Sequence, residues 1–94
     1  MELVFQGASE FVKLRIDREA KSFWIASNMT GYRFQPQPWW KLFGTTPGDV
    51  DEAKKEMEMM EPLNDEDFIR VIEATFSRNG YSLVNKKNVL SRSI

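Results

Sequence analysis

The residues best suited to chemistry here are carboxylates, and local structure accounts for most of them. Asp65, Glu66 and Asp67 open one helix-patterned segment, and Asp49, Asp51 and Glu52 open another. Negative charge in a first helical turn complements the positive end of the helix dipole. Asp49 and Asp67 each stand three residues after a capping side chain, Thr46 and Asn64, in the spacing of a capping box. The sequence has no histidine and no cysteine. That removes the usual general base, the commonest metal ligand and a thiolate nucleophile. A serine nucleophile would lack its histidine. Neither GxxxxGK[ST] nor GxGxxG is present, and no calcium-loop spacing occurs. The expectation is a protein that is not an enzyme, with no cofactor and no metal.

Binding chemistry is better represented. Tyr32, Phe34, Trp39, Trp40 and Phe43 fall within twelve residues, interleaved with Arg33, Lys41 and a Gln35-Pro36-Gln37-Pro38 run. Downstream, Met57, Met59 and Met60 stand among acidic side chains, and helical spacing turns Met59 away from the Val50, Ala53, Met57, Met60 stripe. Methionine adapts to irregular partners, and tryptophan is enriched among interface hot spots. These residues predict a small module that binds a protein partner or self-associates through Tyr32, Phe34, Trp39, Trp40, Phe43 and Met59. The competing structural reading is a loop folded over the core by its own aromatics.

A second functional reading is single-stranded nucleic-acid binding. Lys13 and Arg15 would meet phosphates, Phe23 would offer a stacking face, and Arg33 would extend the surface. A helix-turn-helix reader is disfavoured, because the second helix would present Asp65, Glu66 and Asp67 to the DNA.

The net charge of −1 is unevenly placed. Residues 1–45 carry six basic and four acidic side chains, residues 46–74 three and ten, and residues 75–94 four and none. An acidic middle of this kind steers basic partners. No apolar run approaches the roughly 20 residues of a membrane helix, and the N-terminus lacks a signal-peptide pattern. With no cysteine, the expectation is a cytoplasmic protein without a membrane partner. Asn28-Met29-Thr30 matches a glycosylation pattern, which without an export signal reads as chance.

Positioning falls to a few elements. The best marked is a helix after Leu63. Asn64 caps it, Phe68, Ile69, Val71, Ile72 and Phe76 share one side, and Asn79-Gly80 stops it, with Tyr81 placed to fold back on Phe76. Tyr81–Val84 then reads as a strand. An earlier helix runs from Thr46 and Pro47 to Glu61-Pro62. Phe11–Ile16 and Ser22–Ala26 read as a hairpin. Pairing centred on Glu19 puts Val12, Leu14, Ile16, Trp24 and Ala26 on the core face, and Lys13, Arg15, Phe23 and Ile25 on the other. Trp39–Phe43 suits one short turn, and Val89-Leu90 a last short strand. Glu2–Gly7 resembles a scrambled 3C-type protease site, so residues 1–11 are either vector-derived or a short strand at Leu3-Val4-Phe5. Residues 12–94 make one small α+β domain. It has an antiparallel sheet of three to four strands in the order β-β-α-α-β, with two helices on one face. The expected core is Leu14, Ile16, Trp24, Phe68, Ile72, Phe76 and Leu83.

Overall fold

The computed structural model describes residues 1–43 and 50–85. The Thr46, Pro47 and Asp49 cap and the Val89-Leu90 strand lie outside the described residues, as do the side chains of Val50 and Ala53. Five strands form one antiparallel sheet: β1 (Glu2–Gln6), β2 (Phe11–Asp17), β3 (Ser22–Ser27), β4 (Gln35–Gln37) and β5 (Ser82–Leu83). Their spatial order is β4-β3-β2-β1-β5. Two helices, α1 (Val50–Met60) and α2 (Asp65–Ser77), stand between β4 and β5 in the chain. The α+β class with two helices holds, and the sheet has one strand more than the expected upper limit.

The two strands beyond the expected β-β-α-α-β order, β1 and β4, each have a local cause. In β1, Leu3 and Phe5 alternate with polar or partly exposed neighbours and are fully buried. The stretch Glu2–Gln6 is thus a strand, and it lies inside the sheet between β2 and β5. In β4, Pro36 has no N–H to donate, which a strand tolerates at a sheet edge. β4 is an edge strand, with Pro36 paired to Trp24.

The β2–β3 register differs by one residue from the pairing centred on Glu19. Leu14 faces Ile25, Ile16 faces Phe23 and Asp17 faces Ser22. The connection is thus four residues, not five. Asp17 Oδ1 accepts the Ala20 N–H at 3.0 Å, and Lys21 takes a left-handed φ of 51°. An aspartate turn closes the loop early, and a one-residue slip moves every β3 side chain to the opposite face. Phe23 is therefore 3% exposed in the core, whereas Trp24 is half-buried on the other face beside Lys13 and Arg15. A phenyl ring needs no polar partner in the interior, whereas a buried indole N–H does.

The core lies on one side of the sheet. Leu3, Phe5, Val12, Leu14, Ile16 and Phe23 pack there with Leu42, Phe43, Met60, Phe68, Ile69 and Ile72. Phe76 and Leu83 are half-buried against this cluster, whereas Val71 is 37% exposed. The ends of α2 are as the sequence marks them. Asn64 Oδ1 accepts the Asp67 N–H at 2.8 Å. At the other end Tyr81 N–H donates to Phe76 O and Gly80 N–H to Ser77 O, each at 3.0 Å, with Gly80 at φ 87°. This is a Schellman motif. The Phe76 ring stacks on Phe5 at 4.6 Å and meets Tyr81 edge-on at 6.1 Å.

Tyr81 also clamps the β1–β2 turn. A Cβ at Gly7 would lie 2.8 Å from the Tyr81 ring, so only glycine admits this contact. The Tyr81 hydroxyl donates to Glu10 Oε2 at 3.0 Å. That hydrogen bond holds the phenol above its ordinary range, with burial and the Glu10 charge adding to it. Because the folded form holds this proton more tightly, the contact stabilises fully below about pH 10 and is lost as pH rises through the raised value. Tyr81→Phe is expected to cost about 1 kcal/mol at neutral pH. It should also flatten the alkaline loss of stability in thermal melts run on either side of about pH 10. Parallel curves for the two proteins would show that the contact does not couple to folding.

Candidate functional site

Pro62 ends α1, and only Leu63 separates it from the Asn64 cap of α2. So tight a corner leaves carbonyls at the end of α1 without helical donors. Arg18, from the β2–β3 connection, supplies them. Its Nη2 donates to Met60 O at 3.2 Å and Leu63 O at 2.8 Å, and its Nη1 to Asp65 Oδ1 at 2.8 Å. The guanidinium lies over the Phe68 ring, 4.2 Å from its centroid. Lys21, three residues on, pairs with Glu61 at 2.6 Å. The turn and the corner become two walls of a cleft of about 500 Å³.

The floor of the cleft is apolar: Trp39, Met57, Met60 and Phe68. Its rim carries both signs, with Arg18 and Lys21 against Glu19, Glu61 and Asp65. The volume lies within the range of ordinary ligand pockets, roughly 300–1,000 Å³. The Glu61 carboxyl sits below its ordinary range because the Lys21 ammonium donates to it and attracts its charge. Both side chains are more than half exposed, so this is a solvated surface pair and not a desolvated acid or base.

The twelve-residue aromatic cluster does not form one surface. Trp39 meets Phe23 and Phe43 edge-on at 6.4 and 6.2 Å and lies nearly parallel to Phe68 at 6.3 Å. It is half-buried and lines the cleft. Phe43 is buried in the core. Trp40 is half-buried, with the Lys41 ammonium 6.0 Å from its ring. Tyr32 and Phe34 lie on the opposite face of the sheet, against Lys13 and Arg15. Met59 is 74% exposed on α1 and is not among the cleft-lining residues. Arg33 is exposed between Tyr32 and Phe34. Phe23, expected as a stacking face, is in the core because of the register, and Trp24 holds the corresponding place beside Arg15.

Arg18 and Lys21, which line the cleft, and Trp24, beside Arg15 on the outer face, are not among the candidate residues the sequence suggested. The first two stand in the β2–β3 connection, which the observed register makes one residue shorter than the Glu19-centred pairing, and the same shift turns Trp24 outward. Among the described residues, no helix is long and apolar enough to cross a membrane, and no group of three or more acidic side chains is placed to hold a metal ion. The chain matches no protein-family model, no curated protein and no solved structure.

Proposed function

We propose that this domain is a non-catalytic protein-interaction module that anchors an apolar side chain of a partner in the cleft beneath Arg18 and Lys21. The observation that carries the reading is the floor of that cleft. It joins Trp39 of the aromatic segment to Met57 and Met60 of α1, the two elements whose compositions suit binding. Apolar anchors seated in desolvated pockets dominate interface energetics, and methionine lets the floor adapt to the side chain that enters. The two-signed rim supplies donors and acceptors that orient the bound segment. Asp51, Glu52, Glu56 and Glu58 of α1 favour a partner with basic residues beside its anchor.

The test is selection from a peptide-display library followed by affinity measurement on Met57→Glu and Met59→Glu. Selected peptides are expected to share one large apolar residue flanked by basic ones. Met57→Glu should weaken them about 30-fold or more, the loss of a hot spot. Met59→Glu, outside the cleft, should leave affinity within about three-fold. Peptides that bind Met57→Glu as well as the parent would overturn the assignment of the cleft.

A further inference from the structure

The alternation that buries Val12, Leu14 and Ile16 turns Phe11, Lys13 and Arg15 to the other face of the sheet. The observed register sets Trp24 opposite Arg15 and Ala26 opposite Lys13 on that face. The segment after β3 adds two rings. Gly31 at φ 71° and Tyr32 at φ 59° are consecutive left-handed residues, and the Tyr32 N–H is tied to Ser27 O at 2.8 Å. A tyrosine in this conformation is sparsely populated and needs its surroundings to hold it. The turn brings Tyr32 and Phe34 back over β2. The Lys13 ammonium lies 5.0 Å from the Tyr32 centroid and the Arg15 guanidinium 4.1 Å from that of Phe34. Tyr32 and Phe11 remain 47% and 40% exposed.

We propose that this outer face, built on Lys13, Arg15, Trp24, Tyr32 and Phe34 with Arg33 beside them, is a platform for single-stranded nucleic acid. Cations interleaved with rings, the exposed Tyr32 among them, suit a strand whose bases stack while its phosphates are neutralised. An acidic polypeptide would use the cations and leave the rings without a stacking partner. A duplex keeps its bases stacked inside and away from a flat sheet face.

The acidic helices do not oppose this. Residues 50–77 carry nine acidic and three basic side chains, but α2 and the end of α1 pack on the Leu3, Phe5 and Leu14 side of the sheet. The core therefore stands between those carboxylates and the outer face, and screening acts over about 10 Å at 0.1 M salt. Among the described residues, the ion pair at the proposed site joins Arg15 to Glu2 at 3.6 Å with both side chains exposed, a pair that holds weakly. This inference goes beyond the cleft and uses none of its residues.

Fluorescence anisotropy of the full chain with labelled oligothymidylate and oligouridylate of about 15 nucleotides tests it, against a duplex of equal length and polyglutamate. Both single strands are expected to bind in preference to the duplex and polyglutamate. Three phosphate contacts give a logarithmic salt slope of about −2, so affinity should fall roughly twenty-fold between about 50 and 200 mM salt. Lys13→Gln/Arg15→Gln should weaken binding about ten-fold or more. Tyr32→Ala, at a position 47% exposed, should weaken it about five-fold or more through lost stacking. Lys54→Ala/Lys55→Ala removes the same charge from α1 and should leave affinity within about two-fold. No binding at low salt, equal binding of duplex or polyglutamate, or indifference to Tyr32→Ala would each overturn the proposal. Because the assay contains no protein partner, its failure is separate from failure of the cleft.

Discussion

Ile72→Ala is expected to destabilise the domain by about 2–5 kcal/mol, the range for truncating a fully buried isoleucine. Ile72 has no exposed surface, and it shares the core cluster with Leu3, Phe5, Leu14 and Phe68. The cavity left by its lost carbons opens where helix and sheet meet, and the stacked Phe5 and Phe76 rings leave little freedom to close it. A domain of 94 residues has a total stability near the lower end of 5–15 kcal/mol. The thermal midpoint should therefore drop by roughly 10–30 °C. Val71→Ala, one residue away on the exposed margin of α2, should stay within about 1 kcal/mol of the parent. A midpoint for Ile72→Ala indistinguishable from the parent would mean that the buried face of α2 is misassigned.

Phe23→Ala should be comparably severe, about 3–5 kcal/mol, and Trp24→Ala clearly milder. Phe23 is 3% exposed, faces Ile16 and contacts Trp39, so its removal undermines the ring that floors the cleft. Trp24 is half-buried on the outer face, where water can occupy the vacated space. The ordering of the two substitutions in chemical denaturation reports the register directly. A slipped hairpin would reverse it, because the larger loss always falls on the inward residue.

What the sequence made legible was local. Asn64, Gly80 and Tyr81 define the ends of α2 through bonds spanning a few residues, and each bond is present. Leu14, Ile16, Phe68 and Ile72 were readable as core from period alone, and all four are buried. The β2–β3 register was not readable, because it hangs on the Ala20 N–H bond to Asp17 and one left-handed lysine, and an aspartate in a turn does not say how many residues the loop holds. β4 was hidden by its proline, which argues against a strand everywhere except at an edge. β5 is only two residues long, and its place depends on β1, 78 positions earlier, through Phe5 facing Leu83. Beyond it, the Asn85 side chain accepts from Val4 N–H and donates to Glu2 O, completing the β1 edge in a way that spacing does not announce. The candidate sites suffered most. The aromatic segment was visible as unusual, but its division between two faces follows from the fold of residues 28–43. The basic residue that shapes the cleft, Arg18, earns its role from an α1–α2 corner more than 40 positions away.

Both functional readings rest on one structural claim, that the β2–β3 register sends Phe23 toward the helices and Trp24 away from them. Proton NOE spectroscopy on the full chain tests it most directly. The account predicts cross-peaks from the Phe23 ring to Trp39, whose centroid is 6.4 Å away. It also predicts contacts from Trp24 to the aliphatic part of Arg15 and to Pro36, the residues it pairs with on β2 and β4. Cross-peaks from the Trp24 indole to Trp39 and Phe68, with Phe23 contacting Arg15 instead, would contradict the register and with it the makeup of both surfaces.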